Sequence, residues 1–172
     1  MKQIFSTLAI LVIAVLLNSL NAQDNSLAYN SPDLKNTYLY DNTNSTAADA
    51  RVISMKALRS FAKSFKNISG EKWYKVSDGF MASFSDNGIE TKVAYDSKGI
   101  FHCTLRTLNE TQLPFDVRDV VKSKYYDFKI LVAYEIKHDN TVYILKIEDS
   151  KTLKTLRVAD GEMEIITDNI KG

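Results

Sequence analysis

The hydrophobic rhythm of the chain changes several times along its length. An unbroken apolar run from Leu8 to Leu17 comes first, preceded by Lys2 and followed by Asn18, Ser19, Asn21 and small Ala22. That tripartite layout predicts a secretory signal peptide over residues 1–22, cleaved after Ala22. The run is far short of the roughly 20 residues a membrane-spanning helix needs. An uncleaved anchor is the competing reading. Residues 23–46 are crowded with Asn, Ser, Thr and Asp, and such a stretch buries too little apolar surface to offset its ordering entropy. They are expected to form a flexible polar leader, with Tyr29, Tyr38, Leu39 and Tyr40 leaving a docked strand as the alternative.

Helical spacing begins next. Ile53, Leu58, Phe61, Phe65 and Ile68 fall near one helical face, and Lys56, Arg59, Lys63 and Lys66 lie toward the other. A helix is predicted from near Ala47 to Gly70, capped by Ser45, Thr46 or Asp49. From Lys72 the apolar positions alternate. Strands are predicted over 73–76, 80–84, 89–95 and 100–108, with turns at Asp78-Gly79, Asp86-Asn87-Gly88 and Asp96 to Gly99. Pro114 suits a helix start, and Phe115 or Val117 forms an apolar stripe with Val120, Val121 and Tyr125 on a helix that ends near Tyr126. Alternation then resumes over 128–137, 141–148, 153–159 and 162–167.

Each half therefore reads as one helix and four strands, about 47–110 and about 111–170. Phe84 to Asp96 has a counterpart in Ile147 to Gly161. This predicts an α+β fold: a tandem repeat building a curved antiparallel sheet of up to eight strands, with both helices on one face. The other face stays open. Taking Phe80, Phe84, Val93, Phe101, Cys103 and Leu105 as helix-facing, alternation sends Met81, Glu90, Lys92, His102, Thr104 and Arg106 outward. The second half adds Lys129, Glu135, Lys146, Arg157 and Glu164, and Tyr74 joins them as an aromatic. Tyr74, Met81, Lys92, His102, Arg106, Lys146 and Arg157 are the candidate protein-binding residues, because long basic and aromatic side chains on a rigid sheet suit protein contacts.

Charge and chemistry narrow the function classes. The chain has 22 Lys and Arg against 21 Asp and Glu, so loss of Lys2 leaves a neutral domain with no pull toward nucleic acid or anionic lipid. Cys103 is the single cysteine, which excludes an intrachain disulfide and leaves stability to the core. No Cys-x-x-Cys, His-x-x-x-His, Gly-rich phosphate loop or Gly-x-Ser-x-Gly elbow is present. Cys103 reads as a small buried hydrophobe. His102, as its neighbour in a regular strand, points to the opposite face and cannot activate it. Acids gather at Glu148-Asp149, Asp160-Glu162-Glu164 and Asp116-Asp119, mostly at turns and a helix start where local reasons favour them. Asn44, Asn67 and Asn109 stand in Asn-x-Ser/Thr triplets. No catalytic residue, metal or cofactor is expected.

The strand-turn pattern itself is familiar. Lys72-Trp73, Gly79 to Phe84, Val93 to Gly99, Leu113-Pro114 with Val117, Tyr125 to Ile130 and Val158 to Gly161 together resemble the PepSY-like, β-lactamase-inhibitor-like family of exported bacterial proteins. The resemblance spans about residues 72–166. It implies a tandem helix-and-four-strand fold and a non-enzymatic, protein-binding role in the periplasm or outside the cell. In the namesake inhibitor a concave sheet grips an enzyme. This chain lacks that inhibitor's disulfides, so neither lactamase inhibition nor any contact residue is carried over. The expected function is an exported module that holds an envelope or secreted protein or peptide on the open sheet face. A small-ligand or calcium binder, and an enzyme with a pocket between helix and sheet, are the alternatives.

Overall fold

The structure, a computed structural model, describes residues 53–172. The expected signal peptide, the polar leader and the residues proposed to cap the first helix lie outside the described residues. Those described belong to one compact unit, Ala47–Gly172. Its elements run α1 (Met55–Ser64), β1 (Lys72–Val76), β2 (Gly79–Asp86), β3 (Ile89–Asp96) and β4 (Phe101–Leu108). A single 3-10 turn (Glu110–Gln112) leads into α2 (Phe115–Lys124), followed by β5 (Lys129–Lys137), β6 (Thr141–Glu148), β7 (Thr152–Ala159) and β8 (Glu162–Ile170). The eight strands form one sheet in chain order, each antiparallel to the next. The α+β plan expected from the alternation is the one observed.

Local chemistry explains the connections. Asn87 (φ 51°) and Gly88 (φ 79°) take left-handed dihedrals between β2 and β3, as do Asp160 (φ 53°) and Gly161 (φ 78°) between β7 and β8. Two such residues make the hairpin turn whose twist matches that of its strands. Asp149 Oδ1 accepts from the backbone N–H of Lys151 and of Thr152, at 2.8 and 2.6 Å, and so shapes the β6–β7 turn. Asn109 serves as a cap rather than a spare surface amide, its Oδ1 accepting from the Thr111 and Gln112 N–H groups. In α2, Asp116 lies in the first turn and Lys122 and Lys124 in the last, an order that complements the helix dipole.

Both helices cover the same side of the sheet. Ala57 and Phe61 of α1 pack, with Ile53, on Trp73, Phe80, Ala82, Phe84, Val93 and Tyr95. Phe61 is the centre of this group, its ring 5.4 Å from that of Trp73 and 5.3 Å from that of Phe84. Val117, Val121 and Tyr125 bring α2 onto Leu108, Ala133, Leu145, Ile147, Leu156 and Val158. Each fully buried aliphatic side chain there contributes about 1.5–3 kcal/mol.

Two expectations are corrected. The first helix starts at Met55 and stops at Ser64, well short of Gly70. Phe65 leaves helical dihedrals (φ −126°, ψ 72°), and its ring packs 5.1 Å from Phe84. Phe65 and Ile68 thus reach the core from an irregular segment. The second correction concerns β4. Ala94 is opposite Cys103, but Tyr95 is opposite Phe101, so His102 is an extra residue, a β-bulge. Phe101 meets Tyr95 on the helix side at 6.2 Å. Beyond the bulge the alternation is inverted. Thr104 and Arg106 pair with Val93 and Thr91 on the helix side, whereas Cys103 and Leu105 pair with Ala94 and Lys92 on the open side.

Candidate binding face

The face opposite α1 and α2 can be read row by row, since cross-strand partners share a face. One row runs Tyr74, Met81, Ala94, Cys103. The next runs Lys72, Ser83, Lys92, Leu105, Ile136, Val142. A third runs Thr107, Tyr134, Ile144, Arg157, Glu164, and a fourth Val132, Lys146, Thr155, Thr167. The middle of this face is an apolar floor. Cys103, Leu105, Tyr134 and Ile144 are buried there, with Thr155 beside them. Charges bound the floor on two sides. Lys92 pairs with Glu90 at 3.1 Å on β3, and Arg157 bonds Glu164 at 3.4 Å across β7 and β8.

Burial sets the electrostatics of the floor. It pushes the Tyr134 phenol up to about 12, with the Glu90 carboxylate adding to the effect. It also pushes the Cys103 thiol up to about 11. The floor is therefore neutral and protonated at physiological pH. At pH 8 such a thiol is ionised to about one part in a thousand, against about a quarter for an ordinary one. A chromogenic disulfide reagent should accordingly label Cys103 more than about a hundredfold more slowly in the native protein than after unfolding. Equal rates in the two states would place the thiol in solvent.

Five of the seven candidate residues, Tyr74, Met81, Lys92, Lys146 and Arg157, come together on this face. Two do not. Arg106 lies on the helix side, 3.3 Å from Glu135, and both influence Tyr143 along with Asp116 of α2. His102 occupies the bulge. Its ring centroid stands 5.6 Å from that of His138, whose Nδ1 contacts the His102 carbonyl oxygen. The only two histidines, far apart in sequence, are thus neighbours at the seam between β4 and β5. Sequence reasoning missed Tyr134, Ile136 and Ile144. An alternating Val132, Tyr134, Ile136 was there to be read, but a second bulge, between Ile130 and Val132, changes the phase of β5 as well.

Little here points to catalysis or to a metal. Among the described residues no group of three or more His, Cys, Asp or Glu side chains is arranged to hold an ion. The Asp149 carboxylate is held below the usual range by the two backbone N–H groups it accepts from, and its task is the turn. A shallow depression of about 390 Å³ lies at one corner of the sheet, lined by Gly70, Lys72, Ser83, Phe84, Ser85, Gly88 and Glu90. Lys72 faces Ser83 there and Ser85 faces Glu90, but among the described residues no side-chain hydrogen bond joins either pair.

No protein-family model matches the chain, and no curated protein matches it either. Solved structures do. A DUF2874 family protein from Bacteroides ovatus is 16% identical with a TM-score of 0.59, the match covering 72% of this chain and 89% of that one. A BLIP-like protein from Bacteroides fragilis is 19% identical with a TM-score of 0.57, covering 70% and 89%. The chain has a BLIP-like fold. A "putative periplasmic" protein from Bacteroides eggerthii is similar as well, 11% identical with a TM-score of 0.56, covering 69% and 88%. None of these three bears the PepSY name, so that part of the resemblance stays with the sequence motifs. At such identities the likeness speaks for the fold alone.

Proposed function

We propose that this chain is an exported binding module that holds a protein or peptide on the open face of its BLIP-like sheet, outside the cytoplasm. The observation that carries the reading is the set of half-buried side chains on that face, Tyr74, Met81, Ile136 and Val142 with Lys92, Lys146 and Arg157. Apolar and aromatic side chains that a partner can cover, with a polar rim around them, are how specific protein interfaces are built. Residues 1–22 act as the export signal in this reading. The periplasmic description of the Bacteroides eggerthii neighbour agrees with that destination. The chemistry is non-enzymatic: Cys103 is too basic a thiol to serve as a nucleophile at neutral pH, and His102 stands at the bulge rather than on the floor.

The test compares partners retained from envelope extract by the wild-type chain, by Lys92→Glu combined with Lys146→Glu, and by Lys63→Glu on the exposed side of α1. The open-face variant should lose at least about tenfold in affinity for a retained protein, and the α1 variant should bind as wild type. Identical partner sets for all three, or no partner for any, would remove the open face as the binding surface.

A further inference from the structure

The two ends of the sheet are chemically opposite. β8 closes one end, and of its nine residues every one but Met163 is exposed. Ile165 is 46% exposed, Ile166 44% and Ile170 85%. A long edge strand with uncovered isoleucines and a free row of backbone N–H and C=O groups is a template for another strand. The charged side chains of β8 are Glu162, Glu164 and Asp168, all acidic. β1 closes the other end, and its charged side chains are Lys72 and Lys75, both exposed.

Strand direction fits the same pairing. The sheet has eight strands in chain order, alternating in direction, so β1 and β8 run opposite ways. A second copy placed at the end of the sheet sets its β1 antiparallel to β8 and keeps both helix layers on one side. Faces must match across the seam. One register that satisfies this puts Lys72 beside Glu164 on the open side and Trp73 beside Met163 on the helix side. The helix side of β1, where Phe61 of α1 packs on Trp73, then lies next to the uncovered Ile165. Pairing β8 with a second β8 would instead oppose acid to acid, which is unfavourable.

We propose that copies of this chain associate end to end, the β8 edge of one adding to the β1 edge of the next. The association is independent of the open-face reading, since it uses the sheet's edges and leaves its faces uncovered. Sedimentation velocity on the purified chain over a range of concentrations tests it. The mean mass should climb past that of a dimer as concentration rises and fall as salt screens the charges. Lys72→Glu with Lys75→Glu, and separately Glu162→Lys with Glu164→Lys, should each associate at least tenfold more weakly. Mixing the two variants should restore assembly, because each then offers the edge the other needs. Circular dichroism confirms that both variants fold. A wild-type chain that stays monomeric, a mass that stops at the dimer, or a mixture no larger than its components would each overturn the proposal.

Discussion

Gly79→Ala should cost more than about 3 kcal/mol and leave the chain largely unfolded. Gly79 opens β2, and there its backbone passes against β3. A Cβ at this position would sit 1.9 Å from the Tyr95 carbonyl oxygen and 2.7 and 2.9 Å from the Asp96 carbonyl carbon and Cα. All three are backbone atoms, so no side-chain rotation relieves the overlap. The strands would have to separate where Gly79 faces Asp96, and the Phe80–Tyr95 pair in the α1 core follows immediately. Gly88→Ala is the matched control. It has φ +79° but nothing within 4 Å of the added methyl, so only the left-handed backbone penalty of about 1–2 kcal/mol applies. Urea unfolding followed by circular dichroism separates the two. Equal midpoints would mean that β2 and β3 are not in such close contact at Gly79.

Leu145→Ala has the second largest expected effect, about 2–5 kcal/mol. Leu145 lies in β6 with 0% exposure, between Ala133 of β5 and Leu156 of β7, each also at 0%. Both neighbours are held by ladder hydrogen bonds, so the strands cannot close the space the isobutyl group leaves. Incomplete collapse is what raises the cost of a large-to-small change. The denaturation midpoint should fall while its slope stays unchanged, because the surface exposed on unfolding hardly alters. Phe115→Ala, at a residue 73% exposed, should stay within about 0.5 kcal/mol of wild type. A Leu145 variant no less stable than the Phe115 variant would remove Leu145 from the core.

The strands were legible where two signals agreed. Alternation marked the interior, and Asn87-Gly88 and Asp160-Gly161 marked hairpin turns that left-handed dihedrals now account for. The helices were less so. Phe65 satisfies a helical spacing from Phe61, yet it reaches Phe84 from outside the helix, so tertiary packing overrode the local pattern. On the open face, Tyr74, Met81 and Lys92 were placed correctly by counting from a hairpin with no irregularity between β1, β2 and β3. Arg106 was not, because the bulge at His102 stands between it and the last secure reference point. A bulge is one residue without a compositional mark, and it became visible only through pairing with β3.

That single extra residue has a consequence for how β4 can vary in length. Deleting His102 would close the bulge and leave every later pairing as it is, with Cys103 still opposite Ala94, Leu105 still opposite Lys92 and the Arg106–Glu135 ion pair kept. Removing Cys103 as well would leave no slack, since Phe101 and Thr104, both on the helix side, would then be neighbours and one would have to change face. β4 thus carries one spare residue, a slack link that the strand can lose without any other side chain changing sides.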